Sequence, residues 1–137
     1  MRNGASILVA EQNASPIGVI GAGGQANEMS SYCPRPIRFY AVEEQYLRGE
    51  QAPLVRLDDP DEESKITEVV IAVGAPGLRR ELREKWPGTR FATIVADSAD
   101  CADSVSLGEG TVIAPKVFLS ASVCAGIHVL VNSGSIV

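Results

Sequence analysis

Aromatic side chains make up only 5% of the 137 residues: three Phe, three Tyr and one Trp. With 45% apolar residues overall, the core must come from Val, Ile, Leu and Ala. That composition favours short strands and tight turns and excludes wholesale disorder. Cations are also scarce, 12 Lys and Arg against 17 Asp and Glu, for a net charge of −5. They form no cluster, which excludes the basic footprint of a nucleic-acid binder or a polybasic membrane patch. No apolar run approaches the ~18 residues of a membrane span. Behind Met1-Arg2-Asn3-Gly4, the apolar stretch from Ile7 to Ala10 is too short for a secretory core, so a cytoplasmic location is expected. The three cysteines, Cys33, Cys101 and Cys124, form no CxxC pair and have no zinc spacing. They read as reduced, mostly buried thiols, and no metal site is expected. The length fits one ordinary domain or two very small ones.

Two halves differ in character. Up to residue 93, apolar runs alternate with helix-like segments. Ile17 to Ile20 is a short apolar strand that ends in Gly21-Ala22-Gly23-Gly24. A polar helix should follow from Gln25 to Cys33, stopped by Pro34 and Pro36. Ile37 to Val42 reads as a second strand, and the acidic stretch from Leu57 to Lys65 as a solvated loop. Val69 to Val73 is a continuous aliphatic run of the kind buried on both faces of a parallel sheet. The next helix places Leu78, Leu82 and Trp86 on one face and Arg79, Arg80, Arg83 and Glu84 on the other, ending at Pro87-Gly88. Phe91 to Val95 reads as a fourth strand. This alternation predicts a small parallel α/β unit.

From residue 94 onward the period is six. Val95, Cys101, Leu107, Ile113, Leu119, Ala125, Val131 and Val137 are all apolar. The next column, Ala96, Ala102, Gly108, Ala114, Ser120, Gly126 and Asn132, is small apart from Asn132. The fifth column, Ala99, Val105, Thr111, Val117, Val123, Val129 and Ser135, is small or β-branched. Three columns obeying one period predict a hexapeptide β-helix, in which each hexad gives one short strand and a small residue fits each corner. The expected organisation is residues 1–93 as a Rossmann-like domain and residues 94–137 as a β-helix domain.

Gly21-Ala22-Gly23-Gly24-Gln25-Ala26 fits G-x-G-x-x-[G/A] between a strand and a helix. Glycines there admit a phosphate close to the backbone, and a helix N-terminus supplies free N–H groups. Glu43 lies 20 residues beyond Gly23, past the second strand, where a carboxylate can accept from a ribose or base. Gly74 ends the third strand at the crevice position of an open α/β sheet, and Arg79 and Arg80 open the next helix within reach of a phosphate. The acidic run from Asp58 to Glu63 reads as solvated loop. His128, the only histidine, occupies the fourth hexad position and reads as an outward-facing surface or rim residue.

The glycine loop after a strand, Val69-Val70-Ile71-Ala72-Val73-Gly74 leading to Arg79, and hexads ending in Val131-Asn132-Ser133-Gly134-Ser135-Ile136-Val137 together resemble the bacterial sugar O-acyltransferases. The resemblance is to the sialic acid O-acetyltransferase (NeuD) type, a group that includes N-acetyltransferases of nucleotide-linked amino sugars. It covers nearly everything from Ile17 onward. It implies an α/β domain that holds a nucleotide-linked sugar and a left-handed β-helix that forms homotrimers, with acetyl-CoA in the cleft between adjacent helices. A histidine base would take the proton of the sugar amine or hydroxyl. By position, Gly21, Ala22, Gly23, Gly24, Gln25, Glu43, Gly74 and Arg79 would line the nucleotide-sugar pocket, and Asn132 would stand near the acetyl-transfer site. Gln25 stands where the family usually has His, Ala75-Pro76 follows the strand-ending glycine, and Val95-Ala96-Asp97 replaces an opening His-Pro. The family's base would fall just past Val137, so the resemblance implies a truncated acetyltransferase without turnover. The alternatives are a non-catalytic nucleotide-sugar-binding or assembly module and, for the glycine loop alone, an NAD-dependent oxidoreductase.

Overall fold

The computed structural model describes residues 15–47 and 53–137. The N-terminal stretch from Ile7 to Ala10 lies outside the described residues. Strand β1 (Ile17–Ile20) is buried along its whole length. Helix α1 (Gly24–Tyr32) follows, burying Ala26 and Met29 against the sheet, and ends at Cys33, ahead of Pro34 and Pro36. Strand β2 (Ile37–Val42) leads to a 3-10 turn at Glu44–Tyr46. Strand β3 (Leu54–Arg56), helix α2 (Glu62–Ile66), strand β4 (Val69–Ile71) and helix α3 (Pro76–Lys85) complete the α/β part. The four strands form one parallel sheet in the order β3-β2-β1-β4.

Several expectations change. β3 is an additional edge strand. The acidic stretch is only partly loop, because Asp61 accepts from the Ser64 amide (2.8 Å) and caps α2, with Glu62 and Glu63 at the positive end of its dipole. The aliphatic run is a strand only over Val69–Ile71. Phe91 makes a single bridge to Val69, and the strand expected there splits, its second part joining the following coil. The buried face of α3 is Arg79, Leu82 and Trp86, whereas Leu78 is 38% exposed. Trp86 instead stacks on Phe39 (6.1 Å between centroids).

From Ile94 onward each strand is two residues long. β5 (Ile94–Val95), β8 (Val112–Ile113) and β11 (Leu130–Val131) form one parallel sheet. β6 (Asp100–Cys101) pairs with β9 (Phe118–Leu119), and β7 (Ser106–Leu107) with β10 (Cys124–Ala125). Every partner lies 18 residues away, so three hexads make one turn and the three sheets are its sides. Val95, Cys101, Val105, Ile113, Ala114, Val117 and Leu119 fill the interior. The interior hydroxyl of Thr111 donates to the Gly126 carbonyl (2.8 Å) and accepts from the Val129 amide (3.2 Å), so it is paired on both sides. Corners at Gly110, Lys116, Ser122, His128 and Gly134 all have positive φ.

One side of the coil is sealed against the α/β part. The outward residues Ile94 and Val112 share a core with Ile17, Val19, Ala26, Met29, Val70 and Ala72, and Leu130 and Tyr32 pack against it. On the other sides Asp100, Phe118, Ser106 and Cys124 face solvent. Cys124 therefore departs from the expected burial, and its sulfur accepts from the Ser106 hydroxyl (3.2 Å). Cys101 is buried and Cys33 half-buried, with burial pushing the Cys33 thiol up. Among the described residues no helix is long and apolar enough to cross a membrane.

Candidate functional site

The sheet order reverses between β1 and β4, and their C-terminal ends open a crevice there. Gly21 leaves β1 with φ +110, and its amide donates to the Ala41 carbonyl (2.9 Å). A side chain at Gly21 would also press on the Ala72 carbonyl at 3.0 Å, so glycine is required by the fold itself. Gly23, Gly24 and Gly74 differ: a Cβ built at any of them meets no protein atom within 4 Å. Bare backbone thus flanks the crevice on both sides, with open space above it. Gly23 caps α1 without any side-chain hydrogen bond, and no acidic residue occupies the first turn. The N-terminal amides of this nine-residue helix are therefore left to solvent or an anion. Ala22 lies in the loop and Gln25 in the first turn of α1, both half-buried.

Glu43 sits at the end of β2, next to β1, so sheet register brings it to the same edge as the glycine loop. Its carboxylate pairs with Lys85 of α3 (3.2 Å), which also pairs with Glu81 (2.8 Å). These contacts are solvent-screened and easily exchanged for a ligand hydroxyl.

Arg79 is not free to line the crevice. Only 7% exposed, its guanidinium donates from Nη1 to the carbonyls of Ile71 (2.9 Å) and Val73 (3.0 Å). From Nε (3.2 Å) and Nη2 (2.6 Å) it donates to the His128 carbonyl. The expected phosphate contact is thereby corrected: Arg79 clamps the end of β4 to a coil corner. No carboxylate is among these partners, and burial pulls its pKa down. Asn132 is exposed on the coil after β11, and its backbone carbonyl accepts from the Ser135 amide (3.2 Å). The structure thus gathers Gly21, Ala22, Gly23, Gly24, Gln25, Glu43 and Gly74 at the C-terminal ends of the strands, while the Arg79 guanidinium is spent on carbonyls and Asn132 stands exposed on the coil.

His128 is the residue that sequence reasoning misplaced. Its ring meets Phe91 edge to face (4.6 Å between centroids, 89° between planes), and Arg83 lies over the Phe91 ring at 4.5 Å. Gly110, one coil turn below, leaves the space the imidazole occupies, since a Cβ there would collide with the ring. Both ring nitrogens are buried and without hydrogen-bond partners. Burial, then Arg83 and Arg79, pull its pKa down, against a small opposing pull from Glu109. The fourth hexad position faces outward from the coil, and here α3 and Phe91 cover it.

The fold defines a class: a small parallel α/β sheet joined to a parallel β coil. No family model matches the sequence, and no curated protein is significantly similar to it. Solved structures with this architecture are nevertheless similar to it. The acetyltransferase domain of PglB from Neisseria gonorrhoeae, in complex with acetyl coenzyme A, has TM-score 0.73 and 21% identity, covering 90% of this chain and 64% of that one. A mutant of perosamine N-acetyltransferase from Caulobacter crescentus, in complex with CoA and GDP-perosamine, has TM-score 0.72 and 23% identity, covering 90% of this chain and 62% of that one. At these identities the likeness is one of fold, and the chain spans less than two thirds of either neighbour.

Proposed function

We propose that the chain binds a nucleotide-linked sugar at the crevice between β1 and β4, as part of an acetyl-CoA-dependent sugar acetyltransferase. The observation that carries this reading is the open space over Gly23, Gly24 and Gly74 on both sides of the sheet's switch point. The fold shared with two acetyltransferases of known structure supports it. Gly21, Ala22, Gly23 and Gly24 would receive the diphosphate at the N-terminus of α1, with Gln25 at the sugar side. Glu43 would exchange Lys85 for a ribose or base donor, and Gly74 would close the far wall. In this reading residues 1–93 form the nucleotide-sugar domain, and residues 94–137 are turns of a left-handed β-helix that trimerises.

Acetyl-CoA, when bound, supplies the acetyl group as a thioester. The only cation between Ile94 and Val137 is Lys116, so this chain alone offers little for the CoA phosphates. His128 is not placed as the base, because its nitrogens are buried away from solvent. Asn132 would support the transfer site. The reading therefore gives these 137 residues the recognition step, and no turnover by themselves.

Calorimetric titration with UDP-, GDP- and dTDP-linked amino sugars, with NADH as a control, tests this directly. Saturable binding is expected for a nucleotide-sugar, and Gly23→Leu and Gly74→Leu should each weaken it at least about tenfold with the melting temperature unchanged. No heat from the whole panel on folded protein overturns the reading. Binding of NADH alone would favour the oxidoreductase alternative.

A further inference from the structure

The seam between α3 and the coil corner contains the chain's one histidine in an arrangement that disfavours its charged form. Three elements surround the His128 ring. From α3 come two cations, Arg79, bonded to the His128 carbonyl, and Arg83, stacked on Phe91. The Phe91 ring presents no acceptor, and the coil turn below contributes bare Gly110 and the carboxylate of Glu109. The Glu109 backbone carbonyl already accepts from the His128 amide (2.8 Å). A protonated imidazole would carry two buried N–H donors that bond to nothing, beside two guanidinium groups, with the Glu109 carboxylate as the one opposing charge. An unpaired buried charge of this kind is relieved by moving into water.

We propose that His128 is a proton-operated latch: neutral, it seats against Phe91 and presents its carbonyl to Arg79; protonated, it leaves the seam and the corner opens. The carbonyl held by Arg79 belongs to the same residue, so expulsion of the ring disturbs the bonds that join the coil to β4. The positive φ of His128 (+54) is shared by the corners at Lys116 and Ser122, so it belongs to the coil and persists whether or not the ring is seated. The sign follows from linkage. Burial and the two arginines depress the folded pKa below the unfolded value of about 6.5. The latch therefore stabilises the seam fully above about pH 6.5 and loses this contribution as pH falls through the folded value. This inference is independent of the proposed ligand.

One histidine makes the experiment unambiguous. The imidazole Hε1 resonance of the intact chain, followed by proton NMR from pH 8 to 5, should titrate below about 6.5. Over the same range, exchange of the His128 and Val129 amides, corrected for intrinsic rate, should report an opening equilibrium that rises up to about tenfold per pH unit between the two pKa values. His128→Asn tolerates positive φ and cannot take a charge here, so its corner opening should be flat with pH. A folded-state titration at or above about 6.5 overturns the latch. So does the same pH dependence in His128→Asn. If that variant fails to fold, wild-type amide exchange decides: an opening equilibrium at His128 and Val129 that does not rise as pH falls overturns the latch.

Discussion

β1 and β4 of the α/β part are short aliphatic runs laid side by side and wholly buried, with the more mixed β2 flanking β1, and no repeat announces any of them. In the coil each strand is two residues long, and burial is set by column: the first and fifth hexad positions point inward and the sixth points outward. Both parts use only parallel pairing between described strands, yet one relies on long local runs and the other on recurrence. The difference matters at the seam. The α/β part presents α1 and the sheet as a ready surface, and the coil sends one apolar residue per turn into that core, Ile94, Val112 and Leu130, besides the His128 corner held by Arg79. A solenoid that would otherwise expose every outward position acquires a single sealed side.

If the seam makes the two parts one cooperative body, truncating either core should lower the same transition. Ile20→Ala and Ile113→Ala, both fully buried, should each cost about 2–5 kcal/mol. Denaturation followed by far-ultraviolet circular dichroism and by fluorescence of the single Trp86 should coincide in both variants. A coil transition that precedes the fluorescence change would break the comparison. Arg79→Met leaves the carbonyls of Ile71, Val73 and His128 without their shared donor and should cost about 2–4 kcal/mol in urea melts. Arg79→Lys should recover only part, because one ammonium cannot serve all three oxygens.

The corners sharpen the comparison further. Gly110 and Gly134 share a positive φ, but only Gly110 lies beneath the His128 ring. Gly134→Ala should cost about 1 kcal/mol from backbone strain alone, and Gly110→Ala about 2–3 kcal/mol from strain plus ring displacement, both read by thermal melting. The smallest effect belongs to Tyr32, whose buried hydroxyl has no partner at the seam. Burial, with Glu28 and Cys33 nearby, pushes its pKa up to about 12. Its contribution is therefore present below the ordinary phenol value of about 10 and fades as pH rises toward the folded one. An ultraviolet titration should show one of the three tyrosines ionising near pH 12, and Tyr32→Phe should remove that phase and leave the melting temperature unchanged or slightly higher.

Much of this architecture was legible beforehand, for physical reasons. Hexad columns are visible because a narrow coil interior admits only small or branched side chains at fixed spacing. The glycine loop, α1 and β2 are visible because turns and prolines bound them. β3 was hidden by its length, three residues in a polar stretch, and α2 by reading Asp58 to Glu63 as charge alone. Asp61 with Ser64 three residues later is a capping pattern, and the carboxylates behind it favour a helix start. Arg79 was assigned to a solvent face because a charge suggests water, yet three converging carbonyls can hold a buried guanidinium. His128 was read from its own hexad only. The 18-residue spacing of Ile94, Val112 and Leu130 was the available signal that one side of the coil is covered.

That covered side also fixes the register of the coil, layer upon layer. β5 follows the α/β part after a short link, and Ile94 anchors it in a core shared with Ile17, Val19, Ala26, Met29, Val70 and Ala72. The next strand on this side, β8, is placed by β5, and β11 by β8, each after a loop of one turn. Each layer closes a loop of the same 18 residues, so the entropic cost of closure is the same for every turn. The α/β part is thus the footing from which the register of every later layer is measured.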